Sequence, residues 1–399
     1  MNLYAQHGYG DGQKVKQGLE RNLIDGVIYG AKDIRPATLV EKLGILSTEH
    51  PDSELMLDPH FYASLLASQP GVRLGSLVGE PSYPYFEGRR RSDLEQQTQV
   101  ESDLRSVLTY QASLPLTTII SPNIVIRRSF DSIEASIAKM FIRRAADIWN
   151  EVGDNRPLYA TVSISNTALN DFTELQIFLQ EITELENPPT GFYLLLEKSD
   201  TTATTYLTEP DALARWMFLN YSLKINGFEI INGYTDALIP YLTVTGADTF
   251  ATGWYNTQKN FSLKKFEPTS GFARRPVSRY MSRPLLKSIR TTELDDLRLL
   301  FDVMNNLDCD SLYPSDEGST TDNTGEALQN WEGLRSMADA VEAESTIEAL
   351  VLCRETLNNA ESLYTEINSV GITLRDRSSS DHIQVIREEL DAFEGLAEL

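Results

Sequence analysis

From about residue 22 to residue 255 the chain alternates short apolar runs with amphipathic helical patterns, and this alternation constrains its fold more than any other feature. The runs lie at 27–31, in ELML before Asp58, in VRLGSLVG at 72–79, and around Pro122 in TTIISPNIVIRR. They continue in LYATVSISN, GFYLLLE, GFEIING and ADTFATGWY. Runs this short and this apolar suit strands buried on both faces, and the helices between them impose parallel crossovers. The clearest helix is FDSIEASIAKMFIRRAADIWNEV, whose spacing puts Ile133, Ile137, Met140, Phe141, Ile148 and Trp149 on one face. Seven or eight strands over some 240 residues favour an α/β fold with a closed parallel (β/α)8 TIM-like barrel over an open doubly wound sheet. YGAKDI stands after the 27–31 run where a dinucleotide-binding sheet would carry Gly-x-Gly-x-x-Gly.

After Arg290 the pattern changes. Residues 291–399 hold 25 acidic residues, six Arg and no Lys, whereas residues 1–290 carry 33 acids against 29 bases. The organisation expected is a barrel domain over 1–290 and a small acidic α-helical region over 291–399. DSLYPSDEGSTTDNTG reads as a mobile loop near 310–325. The narrow apolar stripes of the later helices would pack on the barrel or on a partner.

A net charge of −23 argues against general affinity for nucleic acid or anionic membrane, although local patches can oppose the average. No run approaches the roughly 18 apolar residues of a membrane span, so no membrane association and a cytoplasmic location are expected. Cys309 and Cys353 lack neighbours at metal spacing and read as reduced, buried thiols. The four histidines are scattered, and no nucleotide-binding loop or nucleophile elbow occurs. No metal site and no cofactor is expected, with a magnesium site on the carboxylates Asp58, Glu197 or Asp33 as the alternative left open.

In a barrel, chemistry sits at the C-terminal ends of the strands. Those ends supply Lys32, Asp33, Asp58, His60, Asn123, Ser165, Asn166, Glu197, Lys198, Asn232, Tyr234, Thr252 and Trp254. Asp58 directly follows ELML, where a carboxylate is a candidate base or nucleophile; the same Asp-Pro would serve as a cap for the next helix. Glu197 ends the most apolar strand, where burial would raise its pKa and suit it to act as an acid, while Lys198 beside it offers a plain ion pair. Lys32 is a candidate Schiff-base amine if desolvated and an ordinary loop lysine if not. Asn166 completes the candidate catalytic set, and His60 reads as a helix-start residue.

The segment 259–290 carries nine Lys or Arg against one acid, Glu267, with Phe261, Phe266, Phe272 and Tyr280 interleaved. Arg274, Arg275, Arg279, Arg283 and Lys287 recur every four or so residues, as on a helix face that Pro276 and Pro284 would interrupt. Such donors suit phosphate, and the aromatics suit stacking on bases; the competing reading is neutralisation by the chain's own acidic region. Barrel alternation with basic islands resembles, in architecture only, barrel enzymes that act on bases or nucleotides, such as queuine-type transglycosylases. No motif residue carries across. Two functions are expected. One is a hydrolase or transglycosylase-like barrel enzyme acting on a phosphate-bearing or nucleic-acid substrate through carboxylate acid/base or nucleophilic catalysis. The other is a non-catalytic subunit docking on a protein partner through 291–399.

Overall fold

The structure, a computed structural model, describes residues 1–198, 211–268, 277–314 and 321–399. Nine strands build a parallel sheet rolled into a nearly closed barrel. They are β1 (Asn2–Gln6), β2 (Gly26–Gly30), β3 (Glu54–Asp58), β4 (Ile119–Ile120), β5 (Val125–Ile126), β6 (Leu158–Ser165), β7 (Gly191–Glu197), β8 (Glu229–Gly233) and β9 (Thr249–Thr252). The hydrogen-bonded order is β3-β2-β1-β9-β8-β7-β6-β4, with β5 also on β6. β4 and β5 are two pieces of one stave split at Pro122, which has no N–H to give a ladder. Asn123 rejoins them to the sheet by donating from Nδ2 to the Thr161 carbonyl at 2.6 Å. The seam between β3 and β4 is bridged by Thr117, whose N–H reaches the Leu55 carbonyl at 2.9 Å. Eight staves result, the parallel (β/α)8 arrangement that the alternation implies.

Two strand expectations change. VRLGSLVG forms no strand: Gly75–Leu77 is a 3-10 turn, entered by Gly75 at φ 55°, and it lies over the barrel end with Ser76 N–H on the Lys32 carbonyl. The first stave is instead Asn2–Gln6, ahead of the alternating stretch. It runs into His7-Gly8-Tyr9-Gly10-Asp11-Gly12, again not Gly-x-Gly-x-x-Gly. Helix Ile133–Val152 has the expected span, but Ile133 is exposed and Met140 half-buried. Its core stripe is Ile137, Phe141, Ala145, Ile148 and Trp149.

The basic stretch before Arg290 is not a helix. β10 (Arg279–Ser282) and β11 (Lys287–Arg290) pair antiparallel as a hairpin, the geometry that Pro284 in the connection permits and a helix interior would not. Helix Asn323–Asp339 then packs against helix Lys14–Glu20, the short helix Ile239–Thr243 and β10. These first two follow β1 and β8, so helix 323–339 stands where the helix of the last stave belongs. Trp331 on it is wholly buried, donates Nε1–H to the Thr252 carbonyl at 3.2 Å and meets Trp254 edge-on. The chain therefore leaves β9, makes a long excursion through the hairpin, and returns to close the barrel wall. Helix Asp381–Ala397 packs on helix Ala212–Ile225, and helix Thr346–Ser369 lies against it. Leu350, Leu357, Ile383 and Ile386 from these helices are buried within the same continuous core as the barrel. Of the mobile loop expected near 310–325, residues 315–320 lie outside the described residues, while 310–312 belong to the 3-10 turn Asp308–Leu312 and 323–325 to the first turn of helix Asn323–Asp339. Cys309 and Cys353 are buried and unbridged. Among the described residues no helix is long and apolar enough to cross a membrane.

Candidate active site at the barrel mouth

At the C-terminal ends of the strands a buried ionisable cluster joins four parts of the chain. Asp58 ends β3 and is 1% exposed; His60, two residues on, is wholly buried. Asp58 Oδ1 accepts the His60 backbone N–H at 3.0 Å, a local turn across Pro59 that throws His60 into the left-handed region at φ 52°. Its other oxygen, Oδ2, accepts from the Tyr62 hydroxyl at 3.1 Å and faces the Tyr193 hydroxyl at 3.5 Å. Asp58 is thus not the cap of the next turn: the N-cap of Phe61–Leu66 is His60, and Asp58 Oδ1 holds that residue's N–H instead. Tyr193 points inward from β7 and also donates to Gln6 Oε1 at 3.2 Å. Gln6 is wholly buried at the end of β1, and its Nε2 has no hydrogen-bond partner among the described residues.

The fourth part is Lys265, in the turn Leu263–Phe266 beyond β9. Its Nζ lies 3.0 Å from the Tyr234 hydroxyl, 3.3 Å from His60 Nε2 and 3.4 Å from the Tyr62 hydroxyl. The rings of Tyr62, Tyr234, Phe261 and Phe266 surround it at 4.7 to 5.6 Å from their centroids. Among the described residues it makes no ion pair. Space for the rings comes from two glycines: a Cβ at Gly30 would stand 2.8 Å from His60 Cε1, and one at Gly233 would stand 2.8 Å from the Tyr193 hydroxyl.

Electrostatics follow from burial. Desolvation raises the Asp58 pKa above the ordinary carboxylate range, opposed by Lys265 and by the donors aimed at its oxygens. Desolvation, then Lys265 and Lys32, hold His60 well below the usual histidine value, so it stays neutral. Lys265 is brought down by burial to about 8, against the pull of Asp58 and Asp33. The Tyr62, Tyr193 and Tyr234 phenols are pushed well above 10 by burial and remain protonated donors. Lys198, at the end of β7, is brought down by burial to about 7 and donates to Asn260 at 3.0 Å.

Beside this cluster opens a cavity of about 670 Å3, lined by His7, Asp11, Lys32, Asp33, Arg35 and Lys42 among others. Cavity and cluster meet at Lys32, whose backbone N–H donates to His60 Nδ1 at 3.1 Å while its Nζ pairs with Asp33 at 3.3 Å. Six of the eleven lysines gather around the mouth: Lys14, Lys32, Lys42, Lys198, Lys259 and Lys265.

Of the candidate residues read from sequence, Asp58 is at the heart of the cluster and Lys32 at its edge. Glu197 is buried at the end of β7 opposite Ser165. Asn166 is buried and folds onto its own turn, accepting from the Thr167 N–H at 3.1 Å. Arg274 and Arg275 lie outside the described residues. Arg279 donates across the hairpin to the Ser288 carbonyl, Arg283 to Ser336 Oγ at 3.2 Å, and Lys287 to the Ser379 carbonyl at 2.8 Å. These three cations are turned toward the hairpin and the C-terminal helices. Sequence reasoning placed His60 and Tyr234 among the strand ends without a role, and it missed Tyr193, Gln6 and Lys265. Compared with known proteins, the chain matches no family model, and no curated protein is similar to it at a level that would establish kinship.

Proposed function

We propose that this barrel is an enzyme acting on a small phosphate-bearing substrate at its C-terminal mouth, with Asp58 and His60 transferring protons and the mouth lysines holding the phosphate. The observation that carries this reading is the buried Asp58–His60–Lys265 cluster. Three ionisable groups are desolvated together, each displaced from its ordinary pKa, at the end of the barrel where chemistry belongs. Holding such groups costs stability that a purely structural core would avoid with apolar side chains. Lys32, Lys42 and Arg35 line the adjoining cavity beside Asp11, Asp33 and Glu80; Lys32 pairs with Asp33 and Lys42 with Asp11, so a phosphate there would compete with these carboxylates for the two ammonium groups. Gln6 Nε2 adds a buried donor for a substrate oxygen.

Two observations favour a small substrate over nucleic acid or a docking role. Arg279, Arg283 and Lys287 spend their donors on the chain itself rather than on an open groove. The C-terminal helices bury their apolar stripes on their own barrel. The test is an incubation of the full chain with a cell extract, followed by untargeted mass spectrometry, comparing wild type with Asp58→Asn. Wild type should consume at least one phosphate-bearing metabolite, and the variant should do so about 10²- to 10⁴-fold more slowly. Equal turnover by the two proteins, or no phosphate compound consumed, overturns the reading.

A further inference from the structure

Resting on the reading of the mouth as a proton-transfer site, we infer that Lys265 is a covalent nucleophile and that the substrate is an aldehyde or ketone, captured as an iminium on Nζ. Geometry carries the inference. Lys32 N–H donates to His60 Nδ1, which must then be the unprotonated nitrogen, so the imidazole proton is on Nε2. That Nε2–H faces Lys265 Nζ at 3.3 Å, with the Tyr234 hydroxyl at 3.4 Å and Asp58 Oδ2 at 3.5 Å beside it. Against an ammonium this contact would set donor against donor; against a neutral amine it is a hydrogen bond accepted by the nitrogen lone pair. The contact with His60 thus favours the amine form, the form that attacks carbonyl carbon, while Asp58 and the aromatic rings favour the ammonium, so that both forms are within reach near neutral pH.

The surroundings serve the same chemistry. Four aromatic rings surround Nζ, and Lys265 as a whole is half-buried. Hydroxyls of Tyr234 and Tyr62 stand within hydrogen-bond reach of Nζ, and Tyr62 links onward to Asp58. In the step itself the Nζ–C bond forms and the carbonyl C–O bond breaks. Of the three protons of the starting ammonium, two leave with the carbonyl oxygen as water and one stays on the iminium nitrogen. The cluster relays the protons from nitrogen to oxygen through Tyr234, His60 and Asp58. With its pKa at about 8, Lys265 presents roughly two orders of magnitude more amine at pH 7 than an ordinary lysine does.

The experiment is trapping on the full chain. Wild-type protein is incubated with pyruvate or with glyceraldehyde 3-phosphate in the presence of sodium cyanoborohydride, and adducts are mapped by peptide mass spectrometry. Lys265 should be labelled at least about tenfold faster than the exposed Lys16 and Lys264, with a rate that reaches half its plateau near pH 8. Lys265→Arg should lose this adduct and keep the others. If that variant misfolds, the pH profile of the wild type decides alone. Labelling of Lys265 no faster than Lys16 and Lys264 with both probes overturns the inference. Asp58-dependent turnover in the extract experiment would then leave the proton-transfer reading standing.

Discussion

Lys32 donates its backbone N–H to Nδ1 of His60 at 3.1 Å, and this bond turns the imidazole proton toward the barrel axis. A backbone donor at the end of β2 thereby sets the chemistry of a side chain at the end of β3. Neutral His60 becomes a donor facing Asp58, Tyr234 and Lys265, and its Cε1 packs against Gly30.

Gly30 should tolerate no side chain. A methyl there would stand 2.8 Å from the His60 ring, so Gly30→Ala should cost about 1–3 kcal/mol through overpacking and displace the imidazole. Gly44, in helix Pro36–Glu49, has nothing within 4 Å of where a Cβ would stand, and Gly44→Ala should instead stabilise by about 0.5–1 kcal/mol. Urea unfolding of both variants checks the opposite signs.

Trp331 should behave as a barrel residue despite its distance in sequence. It is wholly buried against β9, and Trp331→Ala should cost about 3–5 kcal/mol. Its neighbour Asn330 bonds both Asp236 and Lys259, so the loss should also reach the mouth. Denaturant unfolding followed by both tryptophan fluorescence and far-UV circular dichroism should give one coincident, weakened transition. Selective loss of the C-terminal helices alone would count against this closure.

Acid should act through histidine. His382 is held neutral by burial and by Lys287, with its pKa brought down to about 3. Between about pH 6.5 and 3 the unfolded chain binds a proton there that the folded chain does not, so this group makes stability fall as pH falls through that window. His60 acts in the same direction. In His382→Leu the loss on going from pH 7 to pH 4 should be smaller than in wild type, measured as the difference in unfolding free energy.

The barrel was legible because its strands are buried on both faces: Phe192–Leu196 can be little else. Asn2–Gln6 was not legible, since NLYAQ is short and ends in Gln6, a polar residue that is buried because it points to the mouth. VRLGSLVG carries strand-like residues, yet Gly75 turns it and Leu74 and Leu77 are used to cover the barrel end. Asp58 could be read from its place after an apolar run. Lys265 could not, because among nine cations in one stretch nothing local says which one turns inward. Phe261 and Phe266 on either side were the available signal, and they are the walls of its pocket. Tyr193 was hidden inside an apolar strand, where only the closed barrel shows that its hydroxyl meets Asp58.

The most direct measurement is an NMR titration of the lysine side chains in protein labelled with 13C-lysine, in wild type, Lys265→Met and Asp58→Asn. One resonance absent from Lys265→Met should titrate near pH 8 in wild type and move to a lower pH in Asp58→Asn, because Asp58 is the foremost charge holding that proton in place. Lys198 and Lys287, which burial brings to about 7 and about 8, should be unchanged by Asp58→Asn. A Lys265 resonance that titrates above pH 10, or one indifferent to Asp58, would contradict the view that these residues form one acid–base unit.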